Sequence, residues 1–497
     1  MSHDVSLTEL LRRAEIEAPV ADVSVSDVTF DSRHVRPGSL FVRFADDERA
    51  AAHTADAVLR GASVIASASC VAVPEGVVRV PLRDPRCDGG RIAAAFHGDP
   101  TRRLPVVGVT GTNGKTTTTY VLESIAAAAG RGCGVLGTIR WRTGASDRAA
   151  PLTTPPADAL QRSFAEMLGA GRELAAIEVS SHALVQHRLS GTRLAAAVIT
   201  NITRDHLDYH GDVAAYRAAK ARIADHVAPG GCLILNADDD GVRAVADSFP
   251  SDLRVLTFSS RRNPAADLRA DVVRMTPAGM RLVLRNRDQA LALDTRLVGI
   301  HNADNVCAAV LAASALGIDL ETAARGVERL SGVLGRLDPV DVGGEMSVFV
   351  DYAHTPDAFE KVLASVRVLA SRRVICVFGC GGDRDRGKRP AMGRIAECLA
   401  DAVFVTTDNP RNEDPRTIAE EIRSGMRDPS RSTWIEDREE AVRTALDAAR
   451  PGDVVLVAGK GHETVQITRG GEFPHDDRLV VRRWADERAI GSGASSS

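Results

Sequence analysis

None of the eight cysteines stands in a Cys-x-x-Cys pair, so the spacing that marks zinc or dithiol redox motifs is missing. Scattered thiols in a chain of 497 residues fit a reducing cytoplasm. No apolar run approaches the roughly 18 residues that suggest a membrane span. Met1 to Arg13 mixes acid and base without an apolar stretch, so it does not read as a signal peptide. An excess of one charge is missing too: the net charge is −4 and no basic block occurs, which gives no case for a nucleic-acid partner. Aromatics are few, at 4%, and alanine is abundant, which reads as compositional bias. What remains is 44% apolar and 26% charged, ordinary for a globular protein, and long enough for about three domains.

The most informative stretch is Val106 to Thr117. A β-branched run enters Gly111-Thr112-Asn113-Gly114-Lys115-Thr116-Thr117, and an alanine-rich helical pattern, Tyr120 to Ala129, leaves it. Strand, glycine turn and helix aim backbone N–H groups at a phosphate chain. Lys115 would reach the terminal phosphates and Thr116 a Mg²⁺ ion. The common phosphate loop has glycine where Val109 stands, so this is a variant type.

The chain divides into three α/β units and a tail. Residues 1–104 alternate short strands (Val23-x-Val25, Val28-x-Phe30, Leu40 to Phe44, Val64 to Ala66) with helices at Leu7 to Ile16 and Ala50 to Gly61. Residues 105–335 alternate strand and helix patterns, which predicts a mostly parallel sheet covered by helices. Residues 336–488 repeat that logic in a Rossmann-like arrangement. The strands there are Ser347 to Val350, Val374 to Phe378, Ala402 to Val405 and Val454 to Val457. Ligands of open α/β sheets sit at strand carboxyl ends. The clusters Gly379 to Arg389, Thr406 to Asp414 and Gly459 to Glu463 lie there. Residues 489–497 read as a flexible tail.

Several clusters could carry chemistry. Glu178 ends a short strand before Ser180-Ser181-His182, so it could ligate Mg²⁺ while a serine caps the next helix. Thr200 to Gly211 packs two histidines and two aspartates behind a buried strand, which suggests a metal-dependent site. Lys220, by its own pattern, is a helix-surface lysine. Asp31-Ser32-Arg33 reads equally as a turn with an ion pair or as a ligand site. Asp351-Tyr352-Ala353-His354-Thr355-Pro356 is a strand-to-helix turn. Asp408-Asn409-Pro410-Arg411 presents an arginine, the residue suited to bidentate carboxylate recognition. In Gly459-Lys460-Gly461-His462-Glu463 the glycines permit close backbone approach and Glu463 could hold a cationic group.

Taken together, and in this order, the motifs resemble the Mur ligases, over residues of about 25 to about 480. Thr110 to Thr117 is similar to the family's own phosphate loop, which accounts for Val109. The closest pattern is the type that adds diaminopimelate to the peptidoglycan stem peptide. The resemblance implies ATP and Mg²⁺ as cofactors, a UDP-muramoyl dipeptide and meso-diaminopimelate as substrates, no membrane partner, and a monomer. Thr116, Glu178 and His206 match Mg²⁺ ligands, and Lys220 the family's carbamylated lysine (N6-carboxylysine). Lys115, Glu178, His206 and Lys220 are thereby the catalytic set. Asn302, Asn305, Arg336, Asp351 and Tyr352 match nucleotide contacts. Ser32, Thr153, Thr154, Ser180, Gln186 and Arg188 match contacts to the UDP-muramoyl dipeptide. Arg384, Asp408, Asn409, Arg411, Gly459 and Glu463 match the diaminopimelate site, with the arginines and Asn409 on carboxylates and the Gly459 carbonyl and Glu463 on the far ammonium. Two stretches depart from the family. Phe41 to Ala50 lacks the usual glycine and Asp-Gly pair, so no uridine role is carried to residues 44–50. His475-Asp476-Asp477-Arg478-Leu479 replaces the usual terminal motif.

The implied chemistry is phosphorylation of a carboxylate, then attack by an amine on the acyl phosphate. The substrate carboxylate and amine are expected from different domains, so domain closure would assemble the site. Two alternatives stand beside it: a lysine-adding or folylpolyglutamate-synthase-like ligase, and a paralogue that binds nucleotide without catalysis. A generic P-loop kinase or GTPase would need switch motifs that the sequence does not contain.

Overall fold

The computed structural model describes residues 4–261 and 263–494, with side chains described up to 488. The chain forms two compact units. One comprises residues 1–202, 214–257 and 308–323; the other comprises 203–213, 258–307 and 324–497.

The first unit holds a small parallel sheet and the mostly parallel part of a larger one. The smaller runs Asp27–Thr29, Ser39–Val42, Val64–Ser67, Val78–Pro81 in chain order, every pair parallel. Its core gathers Leu7, Leu10, Val28, Leu40, Val64, Val80 and Ile92. Helix Glu48–Leu59 joins its second and third strands, and helix Pro85–Phe96 follows the fourth. Asp84 caps the latter helix, accepting from Arg86 N at 2.9 Å and Cys87 N at 3.2 Å, with proline at the first turn.

The larger sheet centres on Val106–Thr110, buried at every residue, between Leu174–Glu178 and Leu194–Ile199. Cys133–Leu136 and Val227–Asn236 extend it in parallel on either side. An antiparallel hairpin, Arg140–Arg142 with Asp147–Ala149, follows Cys133–Leu136. Val106–Thr110 thus presents its carboxyl end in the middle of the parallel strands, where ligands of open α/β sheets sit. Helix Lys115–Ala128 begins there.

The second unit contains an antiparallel meander, Leu268–Thr276, Gly279–Arg285 and Ala290–Thr295. The alternating strand and helix pattern expected for residues 105–335 does not extend through it. Met280, Leu282 and Leu284 are buried while Arg281 and Arg285 are exposed, the signature of a strand with one wet face. The main sheet runs Asp338–Val340, Ser347–Asp351, Val454–Ala458, Val374–Phe378, Ala402–Val405, Ser432–Trp434. Only its first pair is antiparallel. Its strands read as unbroken apolar runs because both faces are covered. Val374, Cys376 and Phe378 enter one core with Phe359 and Met392; Ile375 and Val377 enter another with Val442 and Val481.

Helix Asp477–Ala494 continues through residues 489–494, where the sequence predicted a flexible tail. Val480, Val481 and Trp484 are buried and anchor its first turns, and a nucleated helix propagates at low cost. Residues 495–497 lie outside the described residues. Among the described residues, no helix is long and apolar enough to cross a membrane.

Candidate functional site

In the first unit the phosphate loop is held open by its neighbours. Gly111 has φ 152°, and a Cβ there would lie 1.9 Å from Thr200 Oγ1. Thr200 Oγ1 donates to Asn113 O at 2.6 Å, and Asn201 clamps the same residue twice, accepting from Asn113 N at 2.9 Å and donating to Asn113 O at 3.1 Å. Gly114, at φ 89°, starts the helix where a side chain would be strained. Lys115 Nζ turns back onto Gly111 O at 2.9 Å and Thr112 O at 3.1 Å. Lys220 is buried, with Nζ on Gly111 O at 2.8 Å and 4.8 Å from the Tyr216 ring centre. Its sequence pattern alone suggested a surface lysine; the loop carbonyl and the Tyr216 face are what make burial tolerable. Tyr216 OH also meets Thr112 Oγ1 at 3.1 Å.

Glu178 is buried at the end of its strand. Its Oε2 accepts from Thr116 Oγ1 and Thr138 Oγ1, both at 3.0 Å, and its Oε1 from Thr138 N at 2.8 Å. The residues expected to hold the dipeptide join this network. Thr138 Oγ1 meets Thr153 Oγ1 at 3.2 Å, and Thr154 Oγ1 donates to Glu178 O at 2.9 Å and accepts from Ser180 N at 3.0 Å. Arg188 donates to Thr154 O at 2.7 Å and, through two nitrogens, to Gln186 Oε1. Ser32 stands apart from these five. It lines a separate cavity of about 1490 Å³, walled also by Arg36, Phe44, His53 and Arg148. Phe44 packs edge-on to Phe30, with ring centres 4.9 Å apart, beneath the Arg86 guanidinium at 5.1 Å.

In the second unit a cavity of about 610 Å³ lies at the carboxyl ends of the sheet strands. All six residues expected to bind diaminopimelate line it: Arg384, Asp408, Asn409, Arg411, Gly459 and Glu463. Tyr352 and His206 line it too, so His206 faces the amino-acid candidates of its own unit. Arg411 sits at φ 51°, its backbone N on Ile467 O at 3.0 Å and its Nη1 on Gly382 O at 2.9 Å. Three interactions brace that loop. Arg389, fully buried, reaches both Glu413 oxygens (2.8 and 2.9 Å), Glu421 (2.6 Å) and Gly381 O (3.1 Å). The Arg389 guanidinium, opposing the effect of burial, holds the Glu413 carboxyl down at about 2. Lys460, also fully buried, donates to Asn409 Oδ1 at 2.9 Å and Glu463 Oε2 at 3.1 Å. Asn409 Nδ2 donates to Glu463 Oε2 at 2.8 Å. Arg384, Arg411 and Glu463 thus line one cavity.

Of the nucleotide candidates in this unit, Tyr352 lines the cavity and the others do not. Arg336 stacks over Tyr352, 4.8 Å from the ring centre, and Asp351 accepts from Leu337 N at 2.6 Å and Ala353 N at 2.7 Å. Burial raises the Asp351 carboxyl despite Arg336 and those two donors. His354 falls to about 4, from burial first and the Lys388 ammonium second; Lys388 Nζ donates to His354 O at 2.8 Å. Asn302 and Asn305 are buried and joined at 2.8 Å, and they line neither cavity.

Thr138, Asn201, Tyr216, Lys388, Arg389 and Lys460 belong to these sites without having been expected there. Asn201 lies inside the stretch Thr200 to Gly211, Lys388 and Arg389 inside Gly379 to Arg389, and Lys460 inside Gly459 to Glu463, so their positions are marked in the sequence while their contacts are not.

Residues 109–313 match the Mur ligase middle domain, and residues 335–461 match the Mur ligase glutamate ligase domain. The chain is 43% identical to a UDP-N-acetylmuramoyl-L-alanyl-D-glutamate–2,6-diaminopimelate ligase of Geobacillus thermodenitrificans, over 92% of this chain and 94% of that one. It is 40% identical to the ligase of the same name from Solibacter usitatus, over 96% and 98%. A solved structure of a ligase of that name superposes with a TM-score of 0.71 at 33% identity, covering 98% of this chain and 100% of the other.

Proposed function

The chain belongs to the Mur ligases, and we propose that it joins the γ-carboxylate of the D-glutamate in UDP-N-acetylmuramoyl-L-alanyl-D-glutamate to an amine of meso-diaminopimelate at the expense of ATP. The observation that carries the substrate choice is the 610 Å³ cavity. It offers two guanidiniums and a carboxylate to a ligand that carries an amino-acid head at each end. Lysine, with one carboxylate, would leave a guanidinium without a partner.

The reaction divides between the two units' residues. Lys115 and the N–H groups opening helix Lys115–Ala128 receive the ATP phosphates and neutralise charge as the γ-phosphoryl leaves. The glutamyl carboxylate takes it, with ADP departing, and gives an acyl phosphate. The diaminopimelate amine, oriented by Arg411, Arg384 and Glu463, adds to that carbonyl. The tetrahedral adduct expels phosphate and loses a proton, leaving the amide. Thr153, Thr154, Ser180, Gln186 and Arg188 orient the dipeptide, and Ser32, Arg36 and Phe44 take the uridine end in the 1490 Å³ cavity. Asn302, Asn305, Arg336, Asp351 and Tyr352 serve the nucleotide.

Thr116 Oγ1 and the Glu178 carboxylate, 3.0 Å apart, are the hard oxygen donors that Mg²⁺ prefers. A carbamate on Lys220 would add a further oxygen donor in the first unit, and His206 is the metal ligand proposed from the second unit's own residues. Bound Mg²⁺ would neutralise phosphate charge. Three domains, 1–104, 105–335 and 336–488, remain the proposed division of labour.

Phosphate release from ATP with UDP-muramoyl dipeptide tests this directly. Release is expected with meso-diaminopimelate and at least tenfold less with L-lysine; silence with both would sink the ligase reading, and preference for lysine the substrate choice. Arg411→Ala is expected to raise the KM for diaminopimelate about a hundredfold while leaving the KM for ATP unchanged.

Gly137→Ala offers a second check. A Cβ there would lie 2.2 Å from Glu178 Oε1, so the carboxylate must move. A displacement of that order is expected to lower kcat about a hundredfold; an unchanged kcat would show that the carboxylate position is not critical.

A further inference from the structure

A second cluster of donors lies in the first unit, outside the residues used above. Asp84, Cys87 and His187 bring a carboxylate, a thiol and an imidazole nitrogen within 4.8 Å of one another. Cys87 Sγ lies 2.9 Å from His187 Nδ1, and the thiol also hydrogen-bonds the Asp84 carboxylate. The residues come from two places: the capped start of helix Pro85–Phe96 and the turn after helix Ser181–Val185. One hundred positions separate Cys87 from His187, so no local spacing advertises the set.

We propose that Asp84, Cys87 and His187 form a binding site for Zn²⁺, or a divalent ion of the same borderline-soft class, with a fourth position left to water. A thiolate, an imidazole and a carboxylate are the three donor types zinc accepts. Zinc bonds of about 2.3 Å to sulfur and 2.0–2.1 Å to nitrogen, at a tetrahedral angle, set the two donors about 3.5 Å apart. The present 2.9 Å opens to that by about half an ångström, within reach of χ rotation in side chains that are only partly buried. Binding would release the thiol proton to solvent.

Arg222 does not block the site. Its Nη2 lies 3.3 Å from His187 Nδ1 and 3.2 Å from Nε2. An atom in the ring plane at those distances would collide with the carbon between the two nitrogens, so the guanidinium lies over the ring face. The in-plane lone pair of Nδ1 stays directed at Cys87. An ion held here would tie the helix start to a turn whose next residue, Arg188, grips Thr154 O. The site therefore acts as a staple beneath the proposed dipeptide contacts.

Co²⁺ titration of the full chain tests this, with excess Mg²⁺ filling the oxygen-donor site. The exposed Cys70 and Cys398 are replaced by serine in every sample. One equivalent of Co²⁺ is expected to give a thiolate-to-cobalt charge-transfer band that Zn²⁺ removes. Cys87→Ser and His187→Gly are each expected to lose the band; glycine suits the φ of 56° at residue 187. Zn²⁺ is also expected to raise the thermal midpoint of the parent and of neither variant. No band in the parent, or a band of equal strength in either variant, would overturn the proposal.

Discussion

Lys115→Ala is expected to lower kcat for phosphate release by about a thousandfold with the fold intact. Lys115 is the first residue of its helix, and alanine is the best helix former, so the substitution leaves the helix start sound. What it removes is the ammonium held on Gly111 O and Thr112 O at the mouth of the loop. Those bonds tether a charge that ATP phosphate would draw forward, and their loss should cost stability only about 1 kcal/mol. A loss of rate much larger than the loss of stability is therefore the signature of the role. Lys115→Arg should not rescue it, because a planar fork does not replace a compact ammonium in a loop whose Gly111 already touches Thr200. Single-turnover phosphate release beside a thermal melt checks both halves. A variant retaining more than a tenth of the rate would remove Lys115 from the phosphoryl step.

The loop was legible because its chemistry is local: strand, glycines, lysine and helix are contiguous. The buried strands of the second unit were legible for a similar reason. Val374–Phe378 and Ala402–Val405 have the bounds the apolar runs suggested, since both faces are covered. Helix Pro85–Phe96 was not legible, because Gly89 and Gly90 interrupt its pattern. The packing explains them: a Cβ on Gly90 would lie 2.5 Å from Ser190 Cβ, so the contact requires glycine against intrinsic propensity. The supporting residues of the sites were hidden by distance along the chain. Asn201 meets Asn113 across 88 positions and Lys460 meets Asn409 across 51. Lys220 came from the family resemblance and Arg411 first from its own motif, whereas Arg389 and Lys460, which hold other residues in place, came from neither.

The altered terminal motif, His475 to Leu479, carries the second large effect. Asp477 is fully buried and pairs with Arg438, itself 2% exposed, through Nε and Nη2, both at 2.8 Å. Arg438 Nη2 also donates to Ala458 O at 2.9 Å, and His475 Nε2 lies 2.9 Å from Asp477 Oδ1. Arg438→Met removes the guanidinium and leaves the buried carboxylate only the His475 ring beside it, which is expected to cost about 3–5 kcal/mol of the second unit's stability. Burial by itself would raise the Asp477 carboxyl; the Arg438 guanidinium, and after it His475, overturn that and hold it well below its usual range. A depressed folded value means that this stability is present above the unfolded value of about 3.9 and is lost as pH falls through the folded one. In Arg438→Met the sign reverses. Without the guanidinium the buried carboxyl takes up a proton more readily folded than unfolded, so the deficit should be greatest at pH 7 and shrink toward about pH 4. Urea unfolding followed by tryptophan fluorescence reads this, because Trp434 and Trp484 pack against the two cores of this unit. Arg438→Met with Asp477→Leu should recover part of the loss, since a pair replaced by apolar groups leaves no stranded charge. An unchanged midpoint in Arg438→Met would remove the pair from the stability of this unit, and a deficit independent of pH would show that it contributes packing rather than charge.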